Sequence, residues 1–500
     1  MTEHDVSEKQ TNDKILAELR RLGGEKFQQS DVTFEGTRLV IPVRLSAVQA
    51  RKVLDQYIES QEEPTEFSRT FRYRPWDGAL ALKRALLSLT GTAGIPKAQV
   101  SMFFGKRPPR LVTVASGIGQ TEQVPWGQIE VPLFEGIIET GARTDNEYGL
   151  LFEMTISCPR KFSAEVEGLF RLIQSELENH SIYKGKAFDG QEDPEFLDLS
   201  AVDPKKVIYA EKVKHQLTAN IWAMLEHTET MRQNEVPLKR AVLLHGDFGT
   251  GKTLAAFLTG QKAIENGWTF IYCRPGRDDL GTTMATARLY QPSVVFFEDV
   301  DTVANAKANG SGDKVSGLLD MFDGIQAKGT EILVVLTTNH PEKIHKGMVR
   351  PGRLDAVIEI GALDTQGFKE MVEAVVDAKM RTKALDFDKI GQAFEGFLPA
   401  FAREAIDRAK RYAIARAKNG NIPSLETSDF VLAAEGLRPQ LDMMRDAPEL
   451  GQADHLSEGF QDLIKSVLSR TVLDNNREKV KSEFGMPLIV TDIAPTARAA

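Results

Sequence analysis

The sequence predicts an α/β module, a mostly parallel sheet with flanking helices, followed by a small helical domain and preceded by an α+β domain. Three observations predict it. Apolar runs at 241–244, 269–273, 294–297 and 332–336, with a possible fifth at 356–360, alternate with helical patterns from about residue 205, as in a parallel sheet covered by helices. After Asp364 the strand-like runs cease, and helical stretches follow near 365–379, 386–394, 398–418 and 427–434. Between the first strand and the helix Leu254-Ala255-Ala256-Phe257-Leu258 lies a loop rich in glycine.

The elements before that module are less regular. Residues 1–30 form a polar segment with a weakly amphipathic stretch from Ile15 to Leu22. Residues 31–200 form the α+β domain. Its expected strands are 39–43, where Pro42 allows only an edge position, and 111–114, 129–133 and 150–156. Its expected helices are Ala79 to Leu89 and Phe162 to Leu177, the second with apolar residues at Val166, Leu169, Phe170, Ile173 and Leu177. Arg69, Arg72 and Arg74 interleave with Phe67, Phe71, Tyr73 and Trp76. Such mixing can stack single-stranded bases, but the alternation over 67–73 also fits a half-buried strand, which is the favoured reading. Phe103 to Arg110 is a basic turn. The acidic, turn-rich segment 189–195 is expected to be a linker.

The glycine loop, Gly246-Asp247-Phe248-Gly249-Thr250-Gly251-Lys252-Thr253, fits the pattern of a phosphate-binding loop. It stands between a buried strand and a helix start, where successive backbone N–H groups face an anion. Lys252 can reach the β- and γ-phosphates, and Thr253 can ligate Mg²⁺.

The strand at 294–297 runs into Glu298, Asp299 and Asp301. Carboxylates at the end of a buried strand beside a phosphate loop can hold hydrated Mg²⁺ and orient an attacking water. The strand at 332–336 ends in Thr337-Thr338-Asn339-His340, which sets Asn339 beside those acids. Arg350 and Arg353 follow, and each can meet phosphate as a planar, permanently charged donor.

Together these residues resemble the AAA ATPases that carry a second region of homology, here Thr338 to Asp355. The resemblance covers about 205–440. It implies a P-loop AAA module at 201–362 with a helical lid at 363–440, ATP and Mg²⁺ as cofactors, and ATP hydrolysis. It further implies a homo-oligomeric ring, usually a hexamer, with sites between subunits. By position, the loop with Leu254 binds nucleotide, Thr253 and Glu298 serve the metal, and Asn339 senses the γ-phosphate. Arg350 and Arg353 act on the neighbouring subunit's nucleotide, and Leu318 to Ile325 communicates between subunits. Adenine stacking near Val207-Ile208-Tyr209 and a plain core role for those residues remain equal alternatives.

The chain departs from most members of that group in two places. Glu298-Asp299 stands where Asp-Glu is usual, so either residue can be the one that activates water. The segment 274–293 is short and lacks an aromatic–hydrophobic–glycine pore triplet. Its one aromatic, Tyr290, is read as a core residue. Both features, with Leu336 to Glu342, are similar to the branch containing the mitochondrial AAA chaperone of the Rieske iron–sulfur protein. They imply a chaperone-like ring that opens and closes on a protein client. The segment Glu395 to Ala405 has no arginine at its start. Arg403, the nearest candidate for a sensor on the lid, is read instead as a solvated helix residue.

Composition bounds the alternatives. Of 500 residues, 42% are hydrophobic and 27% charged, with a net charge of −9. Such a length implies several cores. The acidic balance disfavours a nucleic-acid motor or loader, which stays as an alternative, beside an ATP-gated scaffold or switch. Cys158 and Cys273 fit a reducing, cytoplasmic setting. No apolar run approaches the ~18 residues of a membrane span, and no histidine spacing suggests zinc. The tail, 441–500, contains one helix-like stretch from Phe460 to Leu468.

Overall fold

The structure is a computed structural model. It describes residues 30–34, 37–41, 47–96, 99–101, 105–107, 111–130, 135–274, 277–300, 330–344, 353–381, 384–417 and 424–446. The chain divides into two compact units. The expectations for 1–29, Pro42, Phe103 to Phe104, Pro108 to Arg110, 301–329, Arg350 and the tail beyond Asp446 lie outside the described residues.

The first unit begins with a hairpin, β1 (Ser30–Phe34) and β2 (Thr37–Ile41), and helix α1 (Ala47–Glu62). Next come β3 (Pro64–Phe71), α2 (Pro75–Thr90), β4 (Ile95–Pro96), and the short pair β5 (Gln99–Ser101) and β6 (Gly105–Arg107). In chain order the pair β7 (Leu111–Gly117) and β8 (Gln120–Pro125), of which residues 114–122 group with the second unit, precedes β9 (Gln128–Glu130), β10 (Ile137–Asp145), β11 (Gly149–Pro159) and α3 (Ser163–His180). The main sheet has the order β3-β11-β10-β9-β4. Residues 67–71 are a strand, as the alternation predicts. Phe71 is buried, and Arg69 is spent within the unit, on Glu167 at 3.0 Å and over the Phe170 ring at 4.6 Å. The helices form because their apolar residues recur at helical spacing. Val166, Leu169, Phe170, Ile173 and Leu177 are all buried against Phe152, Met154 and Ile156 of β11, each fully buried side chain contributing about 1.5–3 kcal/mol.

The second unit is built on a six-stranded sheet of order β12-β14-β15-β16-β13-β17, every registered pair parallel. Its strands are β12 (Ala187–Asp189), β13 (Arg240–His245), β14 (Thr269–Cys273), β15 (Ser293–Phe297), β16 (Ile332–Thr338) and β17 (Ala356–Glu359). Between β12 and β13 lie α4 (Glu211–Leu217), a π-helical turn at Thr218–Trp222, α5 (Ala223–Glu226) and α6 (Thr228–Gln233). Helix α7 (Lys252–Glu265) joins β13 to β14, and α8 (Leu280–Leu289) joins β14 to β15. Every residue of β14, β15 and β16 is buried, as central strands covered on both faces require. Tyr290 lies in this core against Tyr183 and Phe188.

The acidic segment 189–195 is not a linker. Asp189 ends an edge strand, is 1% exposed, accepts from the Glu195 N–H at 3.0 Å, and meets Arg277 at 3.3 Å. A three-residue strand is too short for its pattern to outweigh the Asp-Gly turn signal after it, so β12 escaped the sequence reading.

The helical part comprises α9 (Thr365–Val375), α10 (Phe387–Ala393), α11 (Pro399–Arg416) and α12 (Thr427–Asp446), packed around Phe368, Phe394, Phe397, Phe430 and Leu437. Asp364 and Asp386 cap α9 and α10 by accepting from the Gly367 and Lys389 N–H groups. Helix α9 stops before the expected 379. Helix α12 runs past the expected 434 and through Pro439, because buried Leu437 and Leu441 hold its last turns on the core. Among the described residues no helix is long and apolar enough to cross a membrane.

Candidate active site

The carboxyl ends of β13, β15 and β16 converge, where open parallel sheets present ligands to loops and helix starts. From β13 the chain enters the glycine loop. Gly246 has φ 155°, Gly249 φ 81° and Gly251 φ 98°. At Gly246 a side chain is also excluded by space, since a Cβ would lie 2.1 Å from the Ile360 carbonyl oxygen. Gly251 sits at the N-terminal end of α7 in the left-handed region, which starts the helix at Lys252. Lys252 is only 7% exposed, and its Nζ donates to the Gly246 and Asp247 carbonyls at 2.6 and 2.9 Å. Thr250 is buried and donates to the Asp247 carbonyl at 2.9 Å. Phe248 and Leu254 are exposed.

The two adjacent carboxylates have separate partners. Thr253 Oγ1 donates to Glu298 Oε1 at 2.6 Å, and the Tyr272 hydroxyl donates to Glu298 Oε2. Burial first, and then the Glu298 carboxylate, push the Tyr272 phenol well above its usual range and keep it a donor. Asp299 turns the other way. It holds φ 50°, a region costly for a residue with a side chain, and its N–H donates to Thr337 Oγ1 at 2.9 Å. Its Oδ1 accepts from Asn339 Nδ2 at 3.0 Å. Asn339 Oδ1 is buried and has no hydrogen-bond partner among the described residues.

Further contacts brace the loop. Tyr209 is buried in the sheet core, and its hydroxyl donates to the Gly251 carbonyl at 2.8 Å. Its neighbour Ile208 packs against the lid core. The Ala400 N–H, in the first turn of α11, donates to the Gly249 carbonyl at 3.1 Å. Arg403, a turn later, is half-exposed and meets Asp407 at 3.8 Å, the solvated role expected for it. Arg353 is described but Arg350 is not. Asp355 clamps Ala241 of β13, its N–H donating to the Ala241 carbonyl and its Oδ2 accepting from the Ala241 N–H, both at 2.8 Å.

The structure therefore brings together the loop, Thr253, Glu298, Asp299 and Asn339. Sequence reasoning missed Tyr272, Thr337 and the backbone of Ala400. Tyr272 carried a weak signal, an aromatic one residue from the end of a buried strand, with no way to know which carboxylate it faced.

These residues suit a nucleotide with Mg²⁺. Three glycines hold positive φ around the loop, Lys252 spends its donors on the loop's own carbonyls, and Asn339 Oδ1 is an unused buried acceptor. A phosphate can take over the Lys252 donors, and the orphaned oxygen can accept from a water.

Fold and site define a phosphate-loop α/β module with a helical lid. Residues 242–362 match the family described as "ATPase family associated with various cellular activities (AAA)", so the chain carries an AAA domain. It is 29% identical over 206 residues to the Cell division cycle protein 48 homolog of Archaeoglobus fulgidus, covering 38% of this chain and 28% of that protein. It is 32% identical over 200 residues to the ATPase family gene 2 protein of Schizosaccharomyces pombe, covering 37% and 24%. Protein SAV of Sulfolobus acidocaldarius is 26% identical over 260 residues, covering 46% and 33%. The chain thus spans about a quarter to a third of the length of these curated relatives. The crystal structure of the FIGL-1 AAA domain matches 46% of this chain and 84% of its own, at 21% identity and a TM-score of 0.37.

Proposed function

We propose that the protein hydrolyses ATP in a homo-oligomeric ring and uses the cycle to remodel, assemble or move a protein client. The observation that carries the hydrolytic reading is the split between the two acids: Glu298 bound to Thr253, Asp299 bound to Asn339. In this reading Lys252 and the loop amides hold the β- and γ-phosphates. Thr253, whose oxygen keeps lone pairs after donating to Glu298, and Glu298 would hold Mg²⁺, which when bound would supply charge neutralisation at the phosphates. Asp299 accepts the proton of the attacking water, and Asn339 orients it through Oδ1.

Arg350 and Arg353 serve the nucleotide of a neighbouring subunit. The swapped acids and the short 274–293 segment favour, within the AAA group, the branch of the Rieske-protein chaperone, whose ring opens and closes without an aromatic pore grip. Of the alternatives, no observation favours a nucleic-acid motor.

The test is ATP turnover as a function of protein concentration. Turnover per subunit is expected to rise as the ring assembles. Arg353→Ala should bind ATP normally and lose turnover by about 10³-fold or more. Full activity in isolated monomers rejects the shared site.

A further inference from the structure

Glu298 carries one more rotatable bond than an aspartate, and a free carboxylate on that stem would sample several orientations. Here it does not. Both of its oxygens are taken by hydroxyl donors from different elements, Thr253 at the start of α7 and Tyr272 in β14. Backbone adds a third restraint, since the Glu298 N–H donates to the Cys273 carbonyl at 2.9 Å.

Tyr272 is itself fixed. It lies opposite Phe296 in the β14–β15 register and stacks on it at 6.1 Å and 23°. Phe257 of α7 packs on it at 6.1 Å, and the Arg274 guanidinium sits 5.8 Å from its ring. A buried phenol must find an acceptor, and the one it finds is the carboxylate beside the phosphate loop.

We propose that Tyr272 is a positioning residue that sets the plane of the Glu298 carboxylate for a nucleotide-bound divalent cation. Thr253 must present its oxygen to the metal, so it cannot alone fix Glu298. Tyr272 does so through the other carboxylate oxygen, Oε2, from a strand that need not move when the loop takes phosphate. The inference rests on the nucleotide reading above, and it assigns to a core aromatic a task that packing alone would not require. Its signature is a defect confined to the metal-dependent part of nucleotide binding.

The test uses the full chain and two readouts: affinity for a fluorescent ADP in EDTA and in Mg²⁺, and Mn²⁺ binding to the protein–ADP complex followed by electron paramagnetic resonance. Tyr272→Phe keeps the ring and removes the donor. Its ADP affinity in EDTA should stay within about twofold of wild type, while the tightening by Mg²⁺ and the Mn²⁺ affinity should each fall about tenfold, as for a lost hydrogen bond to a charged group. Glu298→Asp should weaken Mn²⁺ binding, and adding Tyr272→Phe to it should change little further, because the shorter carboxylate no longer meets the phenol. Wild-type Mn²⁺ affinity in Tyr272→Phe, or full additivity in the double variant, overturns the proposal. So does an equal loss in EDTA and in Mg²⁺, which marks a packing defect. If wild type itself binds ADP without any metal dependence, the nucleotide–metal reading fails first, and the two failures are thereby distinguished.

Discussion

Asn339 Nδ2 donates to Asp299 Oδ1 across 3.0 Å, from the residue just after β16 to the second residue after β15. Thr337 of β16 holds the Asp299 backbone, whose N–H donates to its Oγ1 and whose φ is 50°. Thr337 at the end of β16 and Asn339 just beyond it thus aim Asp299 away from Glu298, although the two acids are neighbours in sequence. Separation of this kind lets one carboxylate face a cation and the other a water.

Substitution of the two acids should therefore separate binding from chemistry. Asp299→Asn is expected to bind ATP–Mg²⁺ with near-normal affinity and to turn over about 10²–10⁴ times more slowly, the usual worth of a positioned base. Glu298→Gln should lose both metal-dependent affinity and turnover. Isothermal titration with and without Mg²⁺, beside a phosphate-release assay, distinguishes them. Normal hydrolysis by Asp299→Asn would reverse the assignment.

Tyr209 should behave as a strut for the loop. Tyr209→Phe loses one buried hydrogen bond to the Gly251 carbonyl, a cost of about 1 kcal/mol to stability, and should weaken ADP binding in EDTA as well as in Mg²⁺. That pattern is the opposite of the one expected for Tyr272→Phe, and the same fluorescent-nucleotide titration reads it.

Two loop glycines should differ in their tolerance of alanine. A Cβ at Gly246 meets the Ile360 carbonyl oxygen at 2.1 Å, whereas at Gly251 the nearest atom is on the Tyr209 ring at 3.5 Å. Both carry backbone strain, but only Gly246→Ala must displace main chain. It is expected to cost about 3 kcal/mol or more, and Gly251→Ala about 1–2 kcal/mol. Urea unfolding of the two variants tests the order.

Cys273 should be inert in the native protein. Burial pushes its thiol from the ordinary 9.0 up to about 12. Because its folded value lies above its unfolded one, the associated stability is complete below pH 9 and is lost as pH rises toward about 12, at roughly 1.4 kcal/mol per pH unit. Iodoacetamide at pH 8 should leave Cys273 unlabelled in the folded protein and label it in urea. Rapid native labelling would show that the end of β14 opens.

The parallel-sheet module was legible because its signals are local and mutually consistent. Unbroken apolar runs such as Val294 to Phe297 have few alternatives to a doubly covered strand, and a glycine loop set between strand and helix is a short-range pattern. Glu298, Asp299 and Asn339 could be placed at strand ends for the same reason. The segment around Asp189 was misread because its strand is three residues long and owes its existence to pairing with Phe270 to Tyr272 of β14, a partner some eighty positions away.

By itself, then, the sequence determined where the phosphate loop stands, which strands are buried and which side chains end them, since each depends on neighbours within a few residues. Tertiary structure alone decided which acid faces Thr253 and which faces Asn339. It also decided that Tyr272 reaches Glu298 and that Tyr209 and Ala400 hold the loop's carbonyls. Those pairings join elements far apart in the chain, and their geometry follows from strand order and side-chain packing, which no local pattern encodes.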